Sequence, residues 1–461
     1  MMIVVLNGSP KGNLSTTLQY VRFMEKKFPG NSFLVFNIAH DIRKIEADET
    51  IFRGIIDGMK DADCILWAFP LYYFLVASQY KRFIELIWER GVMGAFKGKY
   101  TAALSTSIHL FDHMAHNYIH AICDDLEMKF LGSYSADTFD LLKEKEQKRF
   151  LQFNNHLLEG IKNGVSTVRE FPPLQANEFQ YEPWEQAQPV DPGGRQVLIL
   201  SDCESGQTNL VHMIEKLKNS FVGGAKVVNL YNITIKGGCL GCIRCGYDNT
   251  CVYEGKDEFT TFFRETVEKA PIIIFAGTIR DRYLSSRWKL FFDRSFFCNH
   301  IPYLMGKQIG FLISGPLSQI PNLSQIFEGF IEVKKGNLAG VVTDECRNSS
   351  QIDTFIEGLA QRLAQYAYSG YVKPSTFLGV GCNKIFRDDI YGRLRFPFQA
   401  DHAYYRRSGA YDFPQKDFKA RVISAFLILL TKIPAMRKEI YNKKIMEEMV
   451  KPLRKLVDKT P

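Results

Sequence analysis

Four cysteines crowd into one short stretch, "GGCLGCIRCGYDNTCVYEG": Cys239, Cys242, Cys245 and Cys251. The gaps between them are two, two and five residues. Thiols at this density ligate metal or run redox chemistry. A zinc ribbon holds two CxxC knuckles well apart, so the spacing does not fit one. A thioredoxin-type CxxC pair would leave two thiols without a role. Bacterial ferredoxin runs send a fourth Cys, followed by Pro, to another cluster. Here the fourth Cys is farther on and is followed by Val252. Spacing alone leaves three readings open: one zinc bound by all four, free or redox thiols, or an iron–sulfur cubane wrapped by a tight loop that Gly241 and Gly246 would allow.

A second stretch suits phosphate chemistry. "LNGSPKGNLSTT" (Leu6 to Thr17) joins a buried apolar run to a helical one. A phosphate calls for backbone N–H donors, hydroxyls and the positive end of a helix dipole. Gly8 and Gly12 let the backbone curl; Ser9, Asn13, Ser15, Thr16 and Thr17 supply donors, and Lys11 supplies charge. The loop is neither a P-loop nor a dinucleotide fingerprint. The plainer reading is a strand-to-helix turn with an N-cap Ser.

Two further groups compete. "SIHLFDHMAHNYIH" spaces His109, His113, His116 and His120 by four, three and four, which predicts one helix face. Beside Asp112 they suit a metal, proton movement, or a packed polar face, and no His-Glu-x-x-His pattern singles out the metal. "RDRYLSSRWK" groups Arg280, Arg282, Arg287 and Lys289, either a phosphate contact or ordinary surface charge.

The elements that must position these groups are written twice. "IVVLN", "SFLVFNIA", "CILWAF", "YTAALSTS" and "KFLGSYS" read as strands alternating with helices. A Pro-rich stretch follows, and the order restarts with "QVLILSD", "AKVVNLYNITI", "PIIIFAG", "KQIGFLISG" and "LAGVVTDE". Lys81 and Phe83 of "ASQYKRFIELIWER" match Lys289 and Phe291 of "SRWKLFFDRSFF". An internal duplication accounts for this pattern. The expected layout is an α/β chain of two doubly wound parallel-sheet domains in tandem plus a helical C-terminal extension. Residues 1–168 form the first domain, 169–194 a linker, 195–371 the second domain with the cysteine loop, and 372–461 a basic helical extension.

The first repeat resembles the NADPH-dependent FMN reductase family, a flavodoxin-like branch. The likeness rests on its Gly-Ser-Pro loop and on a Pro-x-Tyr turn after the third strand, Pro70-Leu71-Tyr72-Tyr73. The resemblance implies that Ser9, Lys11, Asn13, Ser15 and Thr16 hold the FMN phosphate. It also implies that Pro70, Leu71, Tyr72 and Tyr73 border the isoalloxazine. Ser105, Thr106 and Ser107, after the fourth strand, would line the same crevice. The cysteine run resembles the compact motif of the iron–sulfur flavoproteins of the same group, which implies a [4Fe–4S] cluster on Cys239, Cys242, Cys245 and Cys251. The second repeat departs from the pattern. Its first loop, "SDCESGQTNL", offers Ser205, Gly206, Gln207, Thr208 and Asn209 but adds Asp202 and Glu204, which would repel a phosphate unless they point away. "GTIRDRYLSS" stands where Pro-x-Tyr would be.

The expected function is a flavin-dependent oxidoreductase in which the cluster of the second half serves the FMN of the first. Electrons pass between a small-molecule or protein donor, NAD(P)H or ferredoxin, and an acceptor. The rivals are a cluster-free NAD(P)H-dependent FMN or quinone reductase and a non-catalytic zinc-binding interaction protein. A chain of 461 residues suits several domains, and its ten cysteines suit metal or redox chemistry in an intracellular protein better than a disulfide framework. The six scattered ones read as buried apolar residues. No apolar run is long enough for a signal peptide or a membrane span, so the expectation is a cytoplasmic protein, and a homodimer is in keeping with the group. From Ala435 to Pro461, eight Lys/Arg stand against four acids, +4 of the chain's +8. Without interleaved aromatics this tail predicts a solvated helix face and no nucleic-acid partner.

Overall fold

A computed structural model of the chain describes residues 1–175, 178–184, 188–204, 206, 208–298, 301–413 and 417–460, without the side chains of 442–443 and 445–447. Ser205 and Gln207 of the second repeat's first loop lie outside the described residues, as does Pro461 of the tail.

The first sheet holds β1 (Met2–Asn7), β2 (Ser32–Phe36), β3 (Cys64–Pro70), β4 (Tyr100–Ser107) and β5 (Lys129–Asp137). All its pairings are parallel, in the order β2-β1-β3-β4-β5. This is the flavodoxin-like order, in which the chain reverses between β1 and β3 and opens a crevice at the strands' carboxyl ends. Its helices are α1 (Thr16–Lys27), α2 (Ile38–Ala47), α3 (Glu49–Gly58), α4 (Ser78–Glu89), α5 (Asp112–Asp125) and α6 (Glu144–Lys162). All seven residues of β3 are buried, as expected of a central strand covered on both faces. α1 places Leu18, Val21 and Met24 on the stripe that meets this sheet.

The second sheet repeats the plan with β6 (Val197–Ser201), β7 (Lys226–Asn229), β8 (Ile272–Thr278), β9 (Gln308–Ser314) and β10 (Asn337–Thr343). Its order, β7-β6-β8-β9-β10, is that of the first sheet, again all parallel. Its helices are α7 (Thr208–Asn219), the short α8 (Cys245–Asp248) and α9 (Phe259–Phe262), α10 (Ser286–Arg294), α11 (Pro321–Val333) and α12 (Ser349–Ser369). Then come α13 (Phe377–Tyr391), α14 (Gln399–Arg407), α15 (Phe418–Leu430), α16 (Pro434–Glu439) and α17 (Ile445–Val457). Met1–Tyr404 form one compact unit and Tyr405–Pro461 another.

Three local expectations differ. The run after β2 is not extended: "IAHDIRKIEA" is α2, whose buried Ile38, Ile42 and Ile45 sit at helical spacing. The second-repeat strand is shorter than "AKVVNLYNITI" and stops at Asn229, whose side chain caps the next turn by accepting from Tyr231 N–H. The Pro-rich stretch holds no helix or strand among its described residues, yet it is anchored. Glu170 and Phe171 N–H donate to Asp124 at 3.0 and 2.9 Å. The buried Tyr181 hydroxyl donates to Asp353 at 2.5 Å, and Trp184 N–H donates to the same carboxylate at 2.8 Å.

The two halves meet through α4 and α10. A helix N-terminus presents unsatisfied N–H groups and a partial positive charge. Here each half supplies the carboxylate that satisfies the other. Ser78 N–H donates to Asp293 Oδ2 at 2.7 Å; Ser286 donates to Glu85 through N–H and Oγ, both at 2.5 Å. Lys81 pairs with Glu85 at 3.0 Å and with Asp281, and Lys289 pairs with Asp293. Both lysines have no exposed surface. Ser78, Lys81 and Glu85 thus correspond, at one constant offset, to Ser286, Lys289 and Asp293.

Removing one partner of a buried pair strands the other charge at a cost of about 3–5 kcal/mol, whereas replacing both with apolar residues costs far less. Asp293→Ala therefore lowers the urea midpoint much more than the double change Lys289→Met with Asp293→Leu. Equal midpoints for the two would show that a buried Lys289 left unpaired carries no such cost.

Candidate functional site

The β1–α1 loop is held from within. Asn7 Nδ2 donates to Gly12 O at 3.2 Å and to Asn37 Oδ1 at 2.8 Å. Ser9 N–H donates to Asn7 Oδ1, and Lys11 N–H to Ser9 Oγ. Ser15 is the N-cap of α1, accepting from Leu18 N–H at 3.2 Å. Gly12 has φ +55°, a conformation that favours glycine, and it lies against the His40 ring. Ser9 and Ser15 are buried; Asn13 and Thr16 are exposed beside them. Lys11 makes no ion pair among the described residues, and burial lowers its pKa against the raising effect of the Cys239 and Cys242 thiols. A helix N-terminus with hydroxyls and an uncompensated cation is suited to a phosphate.

The β3 and β4 loops close the same end of the sheet. Leu71 N–H donates to Thr106 O at 3.0 Å, and the Thr106 and Thr17 hydroxyls share a bond of 2.6 Å, which ties the β4 loop to α1. Pro70 pairs with Thr106 in the β3–β4 ladder. Ser105 Oγ bonds to His116 Nε2 at 2.8 Å, and Ser107 Oγ accepts from His109 N–H at 2.8 Å. Tyr72 lies under Lys11, with Nζ 5.9 Å from the ring centroid. Tyr73 goes elsewhere: it is buried against Phe74 and against Phe330 of the second half. Of the expected set, Ser9, Lys11, Asn13, Ser15, Thr16, Pro70, Leu71, Tyr72, Ser105, Thr106 and Ser107 gather at one sheet end. Tyr73 belongs to the packing between halves.

The cysteine loop of the second half lies on this end of the first. Gln79 Nε2 donates to Cys239 O at 3.0 Å. Gly241 has φ +61°, and a Cβ there would stand 2.6 Å from the Tyr72 ring. A Cβ at Gly238 would stand 2.4 Å from Ser78 Oγ. The run "GGCLG" thus needs its glycines because the backbone rests directly on the other half. Cys239, Cys242, Cys245 and Cys251 line one cavity of about 120 Å³ together with Lys11, Tyr72, Phe296, Phe297 and Phe398. Burial pushes the Cys239 thiol up to about 12 and raises Cys245 as well, and the neighbouring thiols add to both. No group of three or more His, Cys, Asp or Glu among the described residues is placed to hold a metal ion. The cysteines ring a space and do not converge on a point. Phe398, which the motif reading did not include, comes from the extension, and Pro397 O lies against Gly246.

Described polar groups at the second half's own crevice are already engaged. Asn209, at the start of α7, accepts from Tyr181 N–H and donates to Phe179 O and to Asp344, each at 2.8 Å. Asp344 also accepts from Ser314 Oγ and Gly315 N–H. Asp202 is buried, accepts from Ser285, and is raised to about 6 by that burial. Glu204 pairs with Arg280 at 2.8 Å. The chain's own segment and carboxylates therefore lie where a second phosphate would need donors. Of the "RDRYLSSRWK" cations, Arg282 pairs with Asp125 at 2.6 Å, Arg287 donates to the Ile233 carbonyl, and Lys289 is the buried interface lysine.

The histidines are not one stripe. α5 begins at Asp112, and His109 precedes it with φ +61°. His109 bonds to Asp112 at 2.8 Å, while His120 stacks on Phe130. His116 is buried on Ser105, and burial lowers its pKa to about 4. Unfolded, it titrates near 6.5, so between these values the unfolded chain holds more protons and stability falls as pH drops. Between pH 7.5 and pH 5 this amounts to about 2 kcal/mol. His116→Gln removes that slope, read as urea midpoints at the two pH values; an unchanged slope would place the histidine's titration elsewhere.

The NADPH-dependent FMN reductase family model matches residues 1–138. No curated protein matches the sequence. Among solved structures, the chain is similar to FerB, a flavoenzyme NAD(P)H:(acceptor) oxidoreductase from Paracoccus denitrificans. The identity is 19 %, with 35 % of this chain and 97 % of that chain covered and a TM-score of 0.30. An apo NADH:FMN oxidoreductase (EMOB) is 16 % identical over 36 % of this chain and 91 % of its own, with a TM-score of 0.30. RosB with a bound 8-demethyl-8-formylriboflavin-5′-phosphate intermediate is 13 % identical over 42 % and 88 %, with a TM-score of 0.33. The matched residues 1–138 take in the whole first sheet with its Gly-Ser-Pro loop, and the match supports a flavin-dependent oxidoreductase.

Proposed function

We propose that the two halves, residues 1–168 and 195–371, arose by duplication and divided one redox task. The first holds FMN, and the second presents a four-cysteine [4Fe–4S] centre to it. One observation carries the reading: all four thiols line the cavity that Lys11 and Tyr72 of the first half also line. The common strand order and the reciprocal caps of α4 and α10 support the duplication.

The residues suit both groups. Ser9, Ser15 and the α1 N-terminus offer hydrogen bonds to a phosphate, and Lys11 offers charge without a competing carboxylate. Tyr72, roofed by the Gly241 backbone, offers an aromatic wall. Cys239, Cys242, Cys245 and Cys251 would hold the cluster, with Phe296, Phe297 and Phe398 excluding water from it. Thiols spread around a cavity suit a multi-iron core better than one zinc, for which tetrahedral sulfurs must meet about 2.3 Å from a single ion. When bound, FMN supplies exchange between two-electron and one-electron chemistry and the cluster supplies single-electron transfer. Lys11 belongs to the phosphate loop and also lines the cysteine cavity, so its charge would favour an anionic group at either. The donor is NAD(P)H, in keeping with the family's description, or a ferredoxin-like protein.

The absence of a preformed ion site among the described residues favours a second reading, a cluster-free NAD(P)H-dependent FMN or quinone reductase whose thiols only pack. Cys239→Ala and Cys245→Ala separate the two. The two-centre reading expects protein purified without oxygen to lose most of its iron and the absorbance near 400 nm while keeping its flavin. Loss of flavin with iron unchanged, or no iron in the parent protein, overturns it.

A further inference from the structure

The second compact unit, Tyr405–Pro461, carries the chain's entire net charge. It contains 14 Lys/Arg against six Asp/Glu, a net +8, equal to the total for all 461 residues. Residues 1–404 are therefore neutral overall. Inside this unit the burial logic of the sheets is inverted. None of the 13 residues of α15 is buried, and Phe426, Ile428 and Leu429 are 61 %, 62 % and 59 % exposed. Val422, Ile423, Phe426, Leu427, Ile428 and Leu429 point to every side of the helix at 100° per residue. A helix apolar all round is stable inside a core or a bilayer, not in water.

Charge and apolar surface are arranged together. Lys419 and Arg421 open α15, and Lys432 follows its end. In α17, the exposed Met449, Leu453 and Leu456 share one face, with Val450 and Val457 beside them. Lys451, Arg454 and Lys455 stand on the opposite face. An apolar face backed by a basic one is the pattern of helices that lie in the plane of a lipid surface. α15 is about 20 Å long, short of the roughly 30 Å hydrocarbon core. No described helix is long and apolar enough to cross a membrane.

We propose that residues 417–460 bind the surface of an anionic lipid bilayer, with α15 sunk into the interface and α17 lying along it. A second copy is the weaker occupant. A dimer contact covers one side of α15 and brings two +8 units together, whereas a bilayer surrounds the apolar side chains and its headgroups neutralise the cations. The proposal does not depend on what the first unit holds.

The test is co-sedimentation of the full-length protein with vesicles of phosphatidylcholine alone or mixed equally with phosphatidylglycerol. Binding to the mixed vesicles is expected to exceed binding to the neutral ones by about tenfold or more and to weaken in about 0.5 M salt. Phe426→Glu with Leu429→Glu, both on exposed positions, abolishes it while far-UV circular dichroism and flavin content stay unchanged. Equal binding to both vesicle types, undiminished binding by the variant, or a variant that only turns a dimer into a monomer overturns the proposal.

Discussion

Two carboxylates, Glu85 and Asp293, set the geometry on which the site depends. Each sits deep in an apolar contact, held by a lysine of its own helix, and each ends its hydrogen bonds on the first turn of the other half's helix. Buried charges of this kind tolerate little displacement, because every hydrogen bond lost leaves a desolvated group unpaired. The α4–α10 contact is therefore a fixed register. From that register Ser78 and Gln79 meet Gly238 and Cys239, and the cysteine loop has no option but to lie on Tyr72.

The same contact explains how two like sheets can differ in chemistry. At the crevice of the first, an uncompensated Lys11 and a capped helix N-terminus face a space beside Tyr72. At the equivalent place in the second, Asn209 is taken by Phe179, Tyr181 and Asp344, and a buried Asp202 adds a carboxylate. What the second half contributes is its loop after β7, displayed to its neighbour. The segment joining the halves is part of this division, since it brings Phe179 and Tyr181 onto Asn209 at the start of α7.

Much of this was legible in the residues, for identifiable reasons. Parallel sheets buried on both faces write themselves as continuous apolar runs, so "CILWAF" and "PIIIFAG" declared both cores. The match of Lys81 and Phe83 to Lys289 and Phe291 marked the helices that turned out to pair. A serine cap in the first loop was readable because capping is local chemistry, and the structure assigns it to Ser15. The unreadable parts are non-local. Nothing near Tyr73 announces that it packs on Phe330 while Tyr72 meets the cysteine loop. Phe398 and Asp344 lie far along the chain from the groups they touch. His109 left the helix because the turn before Asp112 takes φ +61°, a conformation that four-residue spacing does not reveal. Charge alone gave a solvated face for the basic tail, and the exposure of α15 adds apolar surface beside it.

The central claim is a division of labour: one flavin site and one four-thiolate centre per chain, facing each other. Its most direct test is the ratio of flavin to iron in monodisperse protein purified without oxygen. The account predicts about one FMN and about four iron atoms per chain. Two FMN per chain, or one FMN with no iron, would contradict it.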